Sequence, residues 1–477
     1  MTARPGSDGG PRWASFAQRC DDALLDPFLR HKLRHAMDLA VAGRLRRVSE
    51  EPRWEDMRDH AHAIRWHVVG ALHTYLEQFI ERAEARGAHV HWADDAEQAR
   101  RQVLAIAREH ECRRVLKSKS MVTEEIGLRH ALESAGMVVK ETDLGELIVQ
   151  WAGEAPSHLT GPAAHKSRGD IGRLIAEQLG VPFTDDPRAL TGLVRDHLRG
   201  DFLTADLGIS GANFLIAETG SVTIVENEGN ARLVTGLAPV HVVVAGIERI
   251  LPRLADLEVF LQLLAGSNAG QKLTAYTSVI TGHRREHEVG GPEHVHVVLV
   301  DNGRSRMLAD PIMRPALMCI RCAACLNVCP VYRRVGGHAY GWCYPGPIGQ
   351  VLGADMWSEQ EGYDLAFGST LCGACAEACP VRIDLPTVLL RLRQRAAEAE
   401  APGGAAERRR FRLWAFAMRH PRIYRMLPNW LLRLGMRVAP EIPRRVAPGW
   451  VATRDLPEPA PQTFAQRWRS TGGFSHD

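Results

Sequence analysis

The sequence lacks a strong net charge, a long apolar run and a nucleotide-binding motif. Its 477 residues include 59 Lys and Arg against 56 Asp and Glu, and this net charge of +3 does not indicate nucleic acid as a partner. The most apolar stretch, 240–265, is interrupted by charged side chains, so we expect no membrane-spanning helix. No Walker loop is present, and Gly208-Ile-Ser-Gly-Ala lacks the spacing of a dinucleotide fingerprint.

The N-terminal residues also lack the unbroken apolar core of a secretory signal, because 1–20 mix Gly, Pro, Asp and Arg. A cytoplasmic protein is therefore expected. The length exceeds that of one ordinary core and predicts two or three domains. We predict four parts: an N-terminal helical arm at 1–60, an α/β domain at 61–304, a cysteine module at 305–398 and a basic helical tail at 405–477.

Strands and helices alternate in the predicted α/β domain, which indicates a parallel sheet. Strands are expected at five short apolar runs: 89–93, 114–117, 137–141, 241–245 and 295–300. Helical periodicity predicts four helices: an arm from 12 to about 48, then 54–85, 94–110 and 124–135. Glu218-Thr-Gly-Ser separates two further runs, 213–217 and 222–226, and predicts a hairpin.

Seven of the ten cysteines fall in two tight groups, which in a cytoplasmic protein indicates metal rather than disulfides. The first group, Cys319-x2-Cys322-x2-Cys325-x3-Cys329-Pro330, has the spacing of bacterial ferredoxins. In that pattern three cysteines hold one four-iron cluster and the fourth reaches a second cluster. The spacing therefore predicts a two-cluster module.

The second group, Cys372, Cys375 and Cys379 followed by Pro380, keeps the same frame but has Ser369 where its first cysteine would stand. Crossed ligation then gives two sets. Cluster one takes Cys319, Cys322, Cys325 and Cys379, and cluster two takes Cys329, Cys372 and Cys375.

The fourth ligand of cluster two is left open by the sequence. Ser369, the spare Cys343, water or a partner could supply it, or the cluster could hold three irons. Zinc is the alternative metal, since paired C-x2-C motifs also form zinc ribbons. The four-cysteine run and the proline after each final cysteine favour clusters.

Two motifs lie beside this module: Gly336-Gly-His-Ala-Tyr-Gly341 and Tyr344-Pro-Gly-Pro-Ile-Gly349. They resemble segments of the lactate utilization protein B family, the iron-sulfur subunit of bacterial L-lactate utilisation. Four segments of the α/β domain resemble the lactate-utilisation domain of that family: 117–126, Glu141-Thr-Asp-Leu-Gly-Glu146, His165-Lys166 and 217–229.

The resemblance implies an isomerase-like or CoA-transferase-like parallel sheet, then an α-helical module with two [4Fe-4S] clusters and a helical basic tail. It implies an electron-transfer subunit of an oxidoreductase complex that oxidises L-lactate to pyruvate and allows growth on lactate. The implied partners are a cysteine-rich subunit and a second lactate-utilisation-domain protein. Three cysteines in the second motif are common in that family, whereas Cys343 lies outside its pattern.

Two other functions remain open at the level of sequence. The same cysteine module would serve oxidation of another 2-hydroxy acid, such as glycolate, or heterodisulfide chemistry. Alternatively, the α/β domain could be a transferase or isomerase that keeps the clusters as sensors.

Four catalytic candidates lie in the α/β domain: Lys117, Lys119, His165 and Glu218. Lys117 and Lys119 at a strand end could bind a carboxylate or phosphate, or form a solvated basic turn. His165 could position a hydroxy acid or take its proton, although such a residue is more often on the surface. Glu218, with Glu226 and Glu228, could do acid–base chemistry or stabilise the hairpin.

The tail between 408 and 445 alternates arginines with Trp, Phe and Leu. Such a segment could lie on the inner membrane face and serve a quinone-linked acceptor. The alternative is a helical hairpin that packs on the cysteine module, which the tail prolines favour.

Overall fold

The computed structural model describes residues 15–399, 404–426, 460, 462 and 464–471. The described residues up to Ala399 form one compact unit, and those beyond it form a second. The predicted boundaries near residues 60 and 304 both lie inside the first unit, which therefore contains the α/β domain and the cysteine module together.

Helices make up most of the described chain. In the first half they are α1 Phe16–Leu25, α2 Pro27–Glu50, α3 Trp54–Gly70, α4 Leu72–Glu84, α5 Ala96–Glu109, α6 Met121–Glu125, α7 Leu128–Ser134, α8 Leu144–Trp151, α9 Arg168–Leu179, α10 Pro187–Thr204 and α11 Asn230–Leu237. In the second half they are α12 Leu257–Ala269, α13 Arg304–Ala309, α14 Ala324–Val328, α15 Tyr332–Val335, α16 Gly346–Met356, α17 Glu359–Ala366, α18 Ala374–Ala378, α19 Leu385–Glu398, α20 Gly404–Arg419, α21 Pro421–Met426 and α22 Phe464–Ser470. Short 3-10 turns occur at Ile247–Arg249, Leu254–Asp256, Arg314–Met318 and His338–Tyr340.

Among the described residues, ten strands form two sheets. They are β1 Ala88–Ala93, β2 Arg114–Lys117, β3 Val138–Glu141, β4 Leu207–Ser210, β5 Phe214–Ile216, β6 Ser221–Glu226, β7 Val240–Gly246, β8 Ile250–Leu251, β9 Tyr276–Ile280 and β10 His294–Val300. The main sheet has the order β1-β10-β7-β4-β2-β3, and every neighbouring pair is parallel. The prediction of an α/β domain with a parallel sheet is confirmed.

The second sheet has the order β8-β5-β6-β9. Strands β5 and β6 are antiparallel, with Ile216 opposite Ser221, so the hairpin predicted at Glu218 is confirmed. Apolar clusters cover both faces of the main sheet. Strand β7 is therefore buried along its whole length, as expected for a central parallel strand.

Three predicted helices are interrupted. The arm breaks at Asp26, whose carboxylate accepts hydrogen bonds from the first turn of α2, and Pro27 then starts that helix. The helix predicted over 54–85 is two helices that meet at Ala71. The helix predicted over 124–135 breaks at Gly127, where φ is +63°. Periodicity alone did not show these breaks, because the apolar pattern continues across each of them.

Among the described residues, no helix is long and apolar enough to cross a membrane. Tail residues 427–459 lie outside the described residues, and so does the N-terminal segment 1–14. The two predicted roles of the tail, membrane contact and packing on the module, therefore stay predictions.

Candidate metal centre

Four cysteines meet around one cavity of the first unit. Cys319, Cys322, Cys325 and Cys379 line it, together with apolar side chains that include Leu159. Cys322, Cys325 and Cys379 are buried, and Cys319 is half-buried. These are the four residues that crossed ligation predicts for cluster one.

The other three cysteines form a second group. Cys375 lies close enough to Cys329 and Cys372 for charge on either sulfur to raise its pKa. Cys329 and Cys375 are buried, whereas Cys372 is exposed. The second group therefore reaches the protein surface through Cys372.

The two motifs fold alike. Helix α14 starts after Ala323 in a left-handed conformation, with φ of 66°, and α18 starts after Gly373, with φ of 86°. One further pair, Arg321 and Leu371, is also left-handed, with φ of 60° and 54°. Such backbone is unfavourable for non-glycine residues and persists only where surrounding structure requires it. Each loop thereby turns its cysteines toward a common centre.

Backbone N–H groups point at the sulfurs. The Arg321 N–H donates to Cys319 Sγ at 3.3 Å, and the Ile383 N–H donates to Cys379 Sγ at 3.3 Å. Backbone hydrogen bonds, chiefly from Ala374, lower the pKa of the exposed Cys372 thiol. Hydrogen bonds of this kind stabilise the thiolate form that metal ligation needs.

Burial has the opposite effect on the enclosed thiols. It raises the pKa of Cys375 and of Cys379 to about 11, and it raises that of Cys325 further. Thiolates in such a setting need a bound cation beside them. The donor set therefore fits a metal group better than it fits free thiols.

Arginines surround the first cysteine group. Arg58 donates to the Cys379 carbonyl at 2.8 Å, and the fully buried Arg65 donates to the Met318 carbonyl at 3.2 Å. Within the described part of the chain, Nε of Arg44 and both Nε and Nη1 of Arg321 are buried without a hydrogen-bond partner. Unpaired buried guanidinium donors are costly, and a negatively charged group would satisfy them. A four-iron cluster with four thiolates carries such a charge.

A zinc ion would need closely spaced cysteine sulfurs. Because Zn–S bonds are about 2.3 Å, four thiolates on one zinc ion would lie roughly 4 Å apart. Among the described residues, the one set of three ligand atoms that lie within 4.8 Å of one another is Glu154, His165 and His338. No three cysteine sulfurs of the described residues meet that 4.8 Å limit.

A buried ionic network joins this module to the α/β domain. Arg304 pairs with both oxygens of Glu125 at 2.9 Å and with Glu248 at 2.5 Å. Glu248 also pairs with Arg321 of the first cysteine loop at 3.3 Å. Burial opposes ionisation of Glu248, yet Arg304, Arg249 and Arg321 lower the pKa of its carboxyl to about 2. The network fixes the cysteine loop against the carboxyl ends of the central strands.

The two lysine candidates are neighbours of this module. Lys117 is fully buried, with its Nζ 2.9 Å from Glu141 and 3.0 Å from Glu124, so the solvated-turn interpretation is wrong for it. Lys119 donates to the carbonyl of Leu159, which lines the first cysteine cavity. Lys119 thus adjoins the first cysteine group through Leu159.

Burial also raises the pKa of two carboxyls beside the lysines. The pKa of Glu141 rises to about 7, and that of Glu146 rises to about 8. Among the described residues, the buried Oε1 of Glu146 has no hydrogen-bond partner, and it lies 3.7 Å from Lys119. In the sequence, Glu141 and Glu146 were noted only as the ends of a motif that resembles the family. Lys117 is already paired with two carboxylates of the protein itself, Glu124 and Glu141. Ligand binding by Lys117 and Lys119 therefore stays a prediction.

The other two candidates have partners of their own. His165 contacts Glu154 at 2.6 Å and Ser157 at 2.8 Å. Glu218 is exposed and accepts a hydrogen bond from the Leu254 N–H at 2.9 Å. Glu226 likewise accepts from the Ala231 N–H at 2.7 Å, so both glutamates stabilise the local backbone around the hairpin.

Comparisons with known proteins agree with this arrangement. Residues 76–300 match the LUD domain family, 315–383 match the 4Fe-4S dicluster domain, and 391–473 match the C-terminal region of lactate utilisation protein B. A DUF162 family protein from Deinococcus radiodurans aligns over 48% of this chain and 98% of its own, at 17% identity and a TM-score of 0.27. That structural likeness is too low to carry an argument.

Three curated relatives match almost the full chain. An electron transport protein of Escherichia coli K12, named YkgF, is 42% identical over 94% of this chain and 95% of its own. Lactate utilization protein B is 42% identical in Oceanobacillus iheyensis, over 95% of this chain and 96% of its own. The same protein of Geobacillus kaustophilus is 41% identical over 98% of each chain.

The parallel sheet, the paired cysteine loops and the arginines around them define an iron-sulfur protein of the electron-transfer class. Within that class, the chain belongs to the lactate utilization protein B family. The resemblance seen in the sequence is thereby confirmed.

Proposed function

We propose that the protein is the iron-sulfur electron-transfer subunit of a system that oxidises L-lactate to pyruvate and allows growth on lactate. The observation that carries the proposal is the identity of about two residues in five with lactate utilization protein B, over nearly the whole of both chains. The two cysteine groups of the structure supply the matching chemistry.

We assign Cys319, Cys322, Cys325 and Cys379 as ligands of one [4Fe-4S] cluster. Cys329, Cys372 and Cys375 would hold the second. When bound, such clusters supply one-electron transfer at potentials that nearby charge and hydrogen bonds set. The arginines at the first group stabilise added negative charge there, so we expect the first cluster to be reduced at the higher potential.

Exchange of electrons with a partner is proposed to occur at the second group. Cys372 is exposed, whereas three of the four ligands proposed for the first cluster are buried. A partner protein can therefore come close to the second group without any movement of the α/β domain. The proposed partners are a cysteine-rich subunit and a second lactate-utilisation-domain protein.

Lactate gives up two electrons as it becomes pyruvate, so a site that accepts an electron pair is also required. No flavin or nicotinamide motif occurs in the sequence, and we place that site in a companion protein. We further propose that the system works in the cytoplasm and passes its electrons to a quinone-linked acceptor at the membrane surface.

Mixing the anaerobically purified protein with its two companions and L-lactate tests this function. We expect L-lactate to bleach the cluster absorbance and to yield pyruvate in proportion, whereas D-lactate or the protein alone has no effect. Faster reduction by glycolate or by a dithiol would contradict lactate as the substrate. Turnover of an acyl or sugar-phosphate ligand by cluster-free protein would instead identify a transferase or isomerase.

A further inference from the structure

Ser369 occupies the position of a cluster ligand. It follows Cys319 by 50 residues in the chain, the offset that also relates Cys322 to Cys372 and Cys325 to Cys375. Helices α14 and α18 start and end with that same offset. The second loop therefore repeats the first residue by residue, with a hydroxyl where the first has a thiol.

The repeat extends to hydrogen bonding. In the first loop the Arg321 N–H donates to Cys319 Sγ at 3.3 Å. In the second loop the Leu371 N–H donates to Ser369 Oγ at 3.1 Å. Because both donors follow their acceptor by two residues and both have left-handed backbone, Oγ points as Sγ does.

In both loops an arginine donates to backbone carbonyls near this position. Arg65 donates to the Leu317 carbonyl at 2.7 Å, just before Cys319. Arg393 donates to the carbonyl of Ser369 itself at 2.6 Å and to that of Ala366 at 2.9 Å. Ser369 is thus held in place rather than left in a free turn.

A buried amide lies beside the same position. Gln350 is fully buried, and among the described residues neither its Oε1 nor its Nε2 has a hydrogen-bond partner. Its Nε2 packs so closely on Gly368 that a Cβ there would come within 2.8 Å. An amide without a partner next to Ser369 indicates that a polar group belongs at this corner.

The spare thiol lies elsewhere. The charged neighbours of Cys343 are Glu125 and Arg321, which belong to the ionic network at the first cysteine group, and Glu124, which pairs with Lys117. None of the cysteines of the second group is among its principal electrostatic neighbours. Cys343 is therefore a poor candidate for the open corner.

We propose that Ser369 is the fourth ligand of the second cluster, an inference that rests on the proposed function because it needs that cluster. An iron–oxygen bond forms as the Ser369 O–H bond breaks, the proton passes to solvent, and no oxidation state changes. An alkoxide is a harder donor than a thiolate and favours the more oxidised iron. The second cluster should thus have a lower potential than an all-cysteine version.

The test uses the full-length protein, purified anaerobically, with Ser369→Ala, Ser369→Cys and, as the matched control, Cys343→Ala. Iron content and electron paramagnetic resonance are measured before and after mild oxidation. We expect Ser369→Ala to lose one iron per chain and to show a three-iron signal. Wild type and Cys343→Ala should keep about eight irons, the content of two [4Fe-4S] clusters.

Ser369→Cys gives an independent test that does not depend on folding of the alanine variant. We expect it to retain all irons and to raise the midpoint potential of the second cluster by about 59 mV or more, a tenfold change in a one-electron equilibrium. Full iron in Ser369→Ala with an unchanged potential in Ser369→Cys would overturn the assignment. So would a three-iron signal in Cys343→Ala or in wild type. Absence of iron from every variant would instead refute the proposed function itself.

Discussion

Replacement of Cys322 or Cys375 by alanine is expected to remove between about one and about four of the eight irons of two [4Fe-4S] clusters, because each variant takes one ligand from one cluster. Each residue is buried in a different cysteine group, so each variant should lose the signal of one cluster and keep that of the other. Alanine is the better test, because a serine at either position could itself bind iron. Iron and acid-labile sulfide assays with electron paramagnetic resonance measure the loss.

Cys20→Ser is the control for that experiment. Cys20 lies in α1, half-buried, and burial raises the pKa of its thiol to about 11. We expect this variant to keep its iron and its rate of lactate-dependent reduction. Full iron in both Cys322→Ala and Cys375→Ala would show that the two groups do not hold the clusters.

Removal of Arg304 is expected to cost about 3–5 kcal/mol of unfolding free energy, because Glu125 and Glu248 would be left buried without their main partner. Both carboxylates and the guanidinium are almost fully enclosed, with exposed fractions of 0–1%. The loss should also loosen the first cysteine loop, since Glu248 holds Arg321 there. Urea unfolding of Arg304→Met under anaerobic conditions measures the change.

Arg195→Met is the matched control, since it breaks an exposed ion pair with Asp196. Exposed pairs contribute about 0–1 kcal/mol, so this variant should unfold almost as wild type does. If Arg304→Met destabilised the protein no more than Arg195→Met does, the ionic network would not be what joins the two domains.

Much of the fold could be predicted because the strands are short apolar runs between helices. The runs at 241–245 and 295–300 became the central strands β7 and β10. The breaks within helices could not be predicted, because the helices are interrupted at Ala71 and Gly127 while the apolar pattern of the sequence continues. The cluster cysteines could be predicted from the sequence, because cluster ligands on one loop need a fixed spacing along the chain.

The ionic network could not be predicted in the same way, because its members are single charged residues far apart in the chain. One signal was nevertheless present. Glu248 and Arg304 each lie just after the carboxyl end of a strand of the main sheet. Carboxyl ends of parallel strands meet at one edge, so charges placed there come together. The spacing of residues within a single helix or strand cannot show that charged residues of different strands come together.

Iron and acid-labile sulfide content, with electron paramagnetic resonance on anaerobically purified protein before and after dithionite, tests the central claim most directly. We expect about eight irons and eight sulfides per chain, with two interacting four-iron signals after reduction. Zinc in place of iron, or one cluster per chain, would contradict it.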